Sequence, residues 1–192
     1  MMLSSSASGY ADPAKVEEVD RSELARRHLM RGVELAKAQR LEQALEELDR
    51  AVAFDPNWIM LHYNRAIIYS RLGLKDREEA DYRRVIALSG QASKRDRGLI
   101  LAASYYNLVF ITSAQGDLDQ AFAYLDKALA LAADINLFYH ELVDSRELRL
   151  LRADPRFSAL MRRYWPNFGA VTGRLPAQPE MGLEPQNLPG QE

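Results

Sequence analysis

The 192-residue sequence contains no cysteine and no long run of apolar residues. Without cysteine, the chain forms no disulfides or thiolate metal sites, and it has no cysteine nucleophile. No stretch approaches the roughly 20 apolar residues that a transmembrane helix needs. The first 20 residues lack the basic start and apolar core of a secretory signal. These absences predict a cytoplasmic protein that does not contact a membrane.

An excess of charge of one sign is also missing, and turn-forming residues are scarce in the body of the chain. The formal net charge is −2, so no bulk field attracts nucleic acid. Residues 25–165 contain two prolines and five glycines, whereas four of each lie in residues 169–192. The seven prolines and glycines of the body cannot supply the turns of a β-sandwich, whose strands recur about every 8–12 residues. The body is therefore predicted to be helical.

Apolar residues recur at three- and four-residue spacing in this body, which is typical of one face of a helix. The first helix is predicted from Pro13 to about Gln39, with a break near residues 20–22. Asn57 is expected to cap the third helix. The polar segment 89–98 is predicted to be a solvated loop, and residues 1–12 and 166–192 are predicted to be disordered. The other helices are predicted over about 41–54, 57–73, 76–88, 99–114, 118–132 and from 155 onward.

The helical segments repeat one another. The first step between equivalent residues is 34 and the second is 43, which is 34 plus a nine-residue insertion at 89–98. The segments YNRAIIYSRLG (63–73) and YNLVFITSAQG (106–116) match at Tyr-Asn and at the closing glycine. A fixed period of this length is typical of helical repeat proteins. The equivalent residues are Gly32, Ala66 and Val109; Leu35, Tyr69 and Thr112; Leu48, Tyr82 and Leu125; and Ala51, Val85 and Ala128.

This pattern resembles the tetratricopeptide (TPR) repeat, a 34-residue helix–turn–helix unit, with repeats near 25–58, 59–92 and 102–135. Residues 136–165 resemble the terminal module that follows TPR arrays in many bacterial proteins, which implies a bacterial origin. The resemblance implies an all-α fold: a right-handed solenoid over 13–165 with a C-terminal helical cap. Each helix pair is too small to bury its own apolar face, and about three repeats are the minimum for stability.

In TPR arrays the first helix of each repeat lines a concave groove where ligands usually lie. Asn64 and Asn107 would hydrogen-bond a peptide backbone there, since an amide donates and accepts without a charge; the alternative is that each bonds its own helix. The chaperone-binding carboxylate clamp is not expected, because only Asn64 fits its pattern. The apolar residues among those expected in the groove predict a partner segment with apolar side chains. The resemblance places in the groove Leu29, Met30, Val33, Lys37, Tyr63, Asn64, Ile67, Arg71, Tyr106, Asn107 and Phe110.

His28 and His62 occupy the same position of successive repeats. Two stacked histidines could ligate a metal, but this position normally packs between helices and no carboxylate lies at ligand spacing. We therefore expect both to be structural, with no metal site. The sequence has neither a phosphate-binding glycine loop nor a nucleophile elbow, so we expect no enzyme activity and no cofactor.

The function that follows is a non-enzymatic adaptor that binds a peptide segment of another protein in the groove. One alternative is an assembly or secretion chaperone that shields an apolar client segment. A less favoured one is an RNA-binding solenoid that uses Lys94, Arg95, Arg97 and the six arginines between Asp144 and Arg163. In a further alternative, the chain's own C-terminal tail, residues 166–192, occupies the groove.

Overall fold

The structure, a computed structural model, describes residues 13–91, 94–132 and 142–166. Side chains are described from Asp20 onward, apart from those of 94–97. Regular structure in these ranges is helical, as predicted, and none of the described residues lies in a strand. No helix among them has the length and apolar character that a bilayer crossing requires. Of the segments predicted to be disordered, 1–12 and 166–192, all but Pro166 lies outside the described residues.

The helices follow one another with short connections. Residues 142–144 are also helical. The named helices are α1 (Pro13–Lys37), α2 (Leu41–Phe54), α3 (Ile59–Arg71), α4 (Lys75–Leu88), α5 (Lys94–Ala114), α6 (Leu118–Leu131), α7 (Arg149–Ala153) and α8 (Pro155–Tyr164). Asp154 caps α8 as its sequence predicts, because its carboxylate accepts from the Arg156 N–H.

Two local predictions near the start of the chain are wrong. The break expected at residues 20–22 is absent and α1 is continuous there, because that segment contains neither proline nor glycine. Asn57 does not cap α3, whose N-cap is Trp58 and lacks a side-chain bond. Instead, the Asp55 carboxylate accepts from the Asn57 N–H at 3.2 Å.

The insertion lengthens a helix rather than a loop, so the predicted loop at 89–98 is only half correct. Helix α5 begins at Lys94, about two turns earlier in the repeat than α3, which begins at Ile59. Gly98 lowers helix stability by only about 1 kcal/mol. Two residues later, Ile100 is buried against Ile59 and Val85. This packing holds the added turns against α3 and α4.

The same turn joins the helices of every pair. Gln39, Gly73 and Gly116 are equivalent in the repeat, and all three adopt positive φ angles of 62°, 73° and 83°. The N–H of residues 40, 74 and 117 bonds the carbonyl of residues 35, 69 and 112 at 2.9–3.0 Å. These bonds close the Schellman motif that ends a helix at a left-handed residue. The sequence meets this need with glycine in two pairs and with glutamine in the first.

Three helix pairs stack in order: α1–α2, α3–α4 and α5–α6. The first helices of successive pairs, α1, α3 and α5, contact one another more extensively than the second helices do. We call the face formed by α1, α3 and α5 the groove.

Each pair can close because small residues sit where its helices cross. A Cβ added to Gly32 would lie 3.0 Å from Leu48 Cγ and 3.3 Å from the Ala44 carbonyl oxygen. The equivalent residues Ala66 and Val109 are fully buried. The column that holds Gly32, Ala66 and Val109 therefore lies in the interior of the helix pairs.

Apolar clusters connect each unit to the next. One cluster joins α1 and α2 to Leu61 and Ile68 of α3. Another joins α3 and α4 to Leu108 and Ile111 of α5. The largest extends the α5–α6 core into the C-terminal helices, and five residues after 141 are buried in it: Leu142, Leu148, Leu151, Phe157 and Met161. The C-terminal segment therefore covers the apolar end of the stack.

We predict opposite effects of Gly→Ala at two helical glycines. Gly32→Ala should destabilise the protein by about 1–2 kcal/mol, because overpacking against Leu48 and the Ala44 backbone outweighs the gain in helix propensity. At Gly98 an added Cβ meets no described atom within 4 Å, so Gly98→Ala should stabilise by about 0.5–1 kcal/mol. Urea unfolding followed by circular dichroism measures both changes. A stabilised Gly32→Ala variant would contradict the close approach.

Candidate functional site

The groove residues named by the sequence differ in accessibility. Leu29 and Tyr106 are buried, with Tyr106 only 4% exposed, so both belong to the core rather than to an accessible surface. Lys37 and Arg71 are exposed. The remaining seven are half-buried: Met30, Val33, Tyr63, Asn64, Ile67, Asn107 and Phe110. Half-buried apolar side chains in the groove offer surface that a partner can cover.

The two groove asparagines have the same geometry. Asn64 Nδ2 donates to the Met60 carbonyl at 2.8 Å, and Asn107 Nδ2 donates to the Ala103 carbonyl at 2.8 Å. Each bond runs to the preceding turn of the same helix and orients the amide. An amide group has a second N–H and an oxygen acceptor besides. The bond to the own helix therefore leaves each amide able to bond a peptide backbone.

Arg71 is held across the gap between two first helices. Its Nη1 donates to the Ala36 carbonyl at 3.0 Å and its Nη2 to Gln39 Oε1 at 2.6 Å. Both acceptors are uncharged groups at the end of α1. The guanidinium is thus fixed in position without being neutralised by them.

The histidines are structural, as expected, but each has a carboxylate partner that the sequence reading missed. His28 Nδ1 donates to Glu47 Oε2 at 2.7 Å, and His62 Nδ1 lies 3.2 Å from Asp81 Oδ1. Each partner comes 19 residues later in the chain. A carboxylate at the same offset in two repeats was the signal available in the sequence.

An arginine completes the second of these pairs. Arg65 contacts both carboxylate oxygens of Asp81, at 2.7 and 2.8 Å, and Asp49 of the preceding pair at 2.8 Å. His62 Nε2 also lies 2.9 Å from the Pro56 carbonyl. We call His62, Arg65 and Asp81 the polar triad. It ties α3 to α4, and Arg65 extends it to α2.

The surroundings keep these carboxylates ionised. The hydrogen bond from His28 is the main cause that lowers the pKa of Glu47 below its ordinary 4.5. Burial raises the pKa of Asp81, but hydrogen bonds from Arg65 and His62 together outweigh it, so this pKa lies below its ordinary 3.8.

The third pair replaces the polar triad with apolar and aromatic residues. Tyr105, Leu108 and Tyr124 stand at the positions of His62, Arg65 and Asp81. The two tyrosine rings pack with centroids 5.9 Å apart. The histidine positions therefore serve helix packing in all three pairs. Among the described residues there is no group of three or more His, Cys, Asp or Glu placed to hold a metal.

Three of the six C-terminal arginines, Arg152, Arg156 and Arg163, have side-chain partners among the described residues. The Arg156 guanidinium lies 4.4 Å from the Phe122 ring centroid and pairs with Asp154 at 2.8 Å. Arg163 pairs with Asp126 at 3.3 Å. These contacts line a shallow depression between α6 and α8, away from the groove. The side chains of Lys94, Arg95 and Arg97 lie outside the described residues.

A family model described as tetratricopeptide repeat matches residues 61–91 and 102–135. The first matched segment contains nearly all of α3 and α4. The second contains α5 from residue 102 onward and all of α6. No curated protein matches the chain.

We predict that Asp81 is far more important for stability than Asp49, although both bind Arg65. Asp81 is 5% exposed, so Asp81→Asn leaves a buried cation poorly compensated and should lower the free energy of unfolding by about 3 kcal/mol. The Asp49 side chain is 51% exposed, so Asp49→Asn should change the free energy of unfolding by less than about 1 kcal/mol. Denaturant unfolding of both variants at pH 7 tests this, and equal losses would contradict it.

Asp81 should also contribute to the acid sensitivity of the fold. A carboxyl whose pKa is lowered on folding stabilises the protein at pH values above its unfolded pKa, here 3.8. This contribution is lost as the pH falls through the lower pKa of the folded state. The free energy of unfolding should therefore fall between about pH 5 and pH 2. The decrease should be shallower in Asp81→Asn than in wild type, and identical slopes would contradict the assignment.

Proposed function

Because the chain is a tetratricopeptide-repeat protein, we propose that it is an adaptor that binds a segment of another protein in the groove, without catalysing a reaction. Tetratricopeptide repeats are generally protein-interaction modules. We further propose that α1–α2 is a repeat of the same kind, that residues 136–165 are its terminal cap, and that the protein acts in the cytoplasm. The same turn geometry in all three pairs supports the first of these additions.

The observation that carries the proposal is the repeated geometry of Asn64 and Asn107 beside half-buried apolar side chains. Both amides are oriented by the same 2.8 Å bond to their own helix, so they present the same groups on successive first helices. Val33, Ile67 and Phe110 lie at equivalent positions and are half-buried. Two equivalent amides next to apolar surface suit a partner segment that offers both backbone hydrogen bonds and apolar side chains.

We predict that removing both amides weakens peptide binding. A peptide selected on the immobilised chain from a random displayed library serves as the probe. Each lost hydrogen bond to the ligand is worth about 1 kcal/mol, so Asn64→Ala/Asn107→Ala should raise Kd roughly 10- to 30-fold. Fluorescence anisotropy measures the change.

Asn57→Ala is the matched control, since Asn57 is exposed in the connection before α3, outside the groove. Its Kd should equal that of wild type. Circular dichroism of each variant establishes that the helices are retained. An unchanged Kd in the folded double variant would show that the peptide does not bind in the groove.

A further inference from the structure

One edge of the groove carries positive charge in two of the three helix pairs. The residues at the C-terminal ends of the first helices are Lys37, Arg71 and Ala114, which are equivalent in the repeat and all exposed. We call these three positions the rim. The rim is cationic beside α1 and α3 and neutral beside α5.

The rim charges are not neutralised within the part of the chain that the structure describes. Arg71 bonds the Ala36 carbonyl and the Gln39 amide oxygen, and no described carboxylate pairs with it. Glu34 lies one turn before Lys37 and is exposed, but the two form no ion pair among the described side chains. Arg65 differs, because two carboxylates surround its guanidinium.

The geometry of Arg71 resembles that of a preorganised anion-binding group. Two of its N–H groups are used to fix the guanidinium, which has five donors in a planar fork. Holding the side chain in place reduces the entropy lost when a ligand binds. The half-buried groove residues include no aspartate or glutamate: they are Met30, Val33, Tyr63, Asn64, Ile67, Asn107 and Phe110. A carboxylate entering at the rim would meet cations without nearby repulsion from the groove itself.

We propose that the groove selects a partner segment in which apolar residues are flanked by aspartate or glutamate. The apolar side chains pack on the groove and the carboxylates pair with Lys37 and Arg71. This inference rests on the proposed function, because it specifies the chemistry of the segment that the groove binds. Neighbouring helix axes lie about 10 Å apart, which an extended chain spans in about three residues. Two carboxylates about three residues apart can therefore reach both cations.

The test is a selection from a random displayed 12-residue peptide library on the immobilised full chain. The same selection is run on Lys37→Gln/Arg71→Gln and, as a control, on Arg149→Gln/Arg162→Gln. The control removes two exposed positive charges from the C-terminal helices. Wild type and control should enrich peptides with acidic residues beside apolar ones, whereas the rim variant should not.

Affinities of a selected peptide give the second readout. Its Kd should rise roughly tenfold in the rim variant, which loses two partly exposed ion pairs with the peptide. The Kd should stay unchanged in the control and fall in Ala114→Lys, which extends the cationic rim to the third pair. Raising the salt concentration should weaken binding to wild type more than to the rim variant.

The outcomes separate this inference from the proposed function. Peptides that depend on Asn64 and Asn107 but show no acidic enrichment would overturn the inference and leave the groove function standing. Selected peptides that bind independently of both asparagines would overturn the groove function as well. Removing residues 167–192 should leave the Kd unchanged; a lower Kd would assign the groove to the chain's own tail instead of a separate partner.

Discussion

The close crossing of paired helices is the constraint on which the rest of the structure depends. At Gly32 of the first pair a methyl group would lie 3.0 Å from Leu48 Cγ and 3.3 Å from the Ala44 carbonyl oxygen, closer than side-chain carbons usually pack. Ala66 and Val109 take the same place in the other pairs. Once the helices of a pair approach this closely, their outer apolar residues form a surface that neither helix can bury alone. The next pair covers that surface, so local packing within a pair leads directly to stacking.

Stacking is achieved by different chemistry along the chain. Between the first and second pairs, apolar contacts are joined by the ion pair from Arg65 to Asp49. Between the second and third pairs, buried Tyr82, Leu108 and Ile111 pack together. A repeat position therefore fixes where a side chain lies, but not whether the contact is polar or apolar. The first helices of successive pairs contact one another, and their shared face is the groove.

The sequence predicted the helices well where spacing and turn residues agreed, as for α2, α4 and α6. It failed where local signals competed. Gly98 and its polar neighbours indicated a loop, but packing of Ile100 against α3 and α4 outweighs the low helix propensity of one glycine. The partners of the histidines were also missed, because Glu47 and Asp81 are distant in sequence and come close only when the helices pair.

By itself the sequence determined the repeat period and the helical class, since these follow from spacing along one chain. It also identified the asparagines that share a repeat position. Only the tertiary structure decided which predicted groove residues are accessible: Tyr106 is buried, whereas Lys37 and Arg71 remain exposed. Only the tertiary structure decided that Arg71 reaches the end of α1. Accessibility and long-range contacts depend on how helices from different repeats are placed, and periodicity within one helix carries no information about that placement.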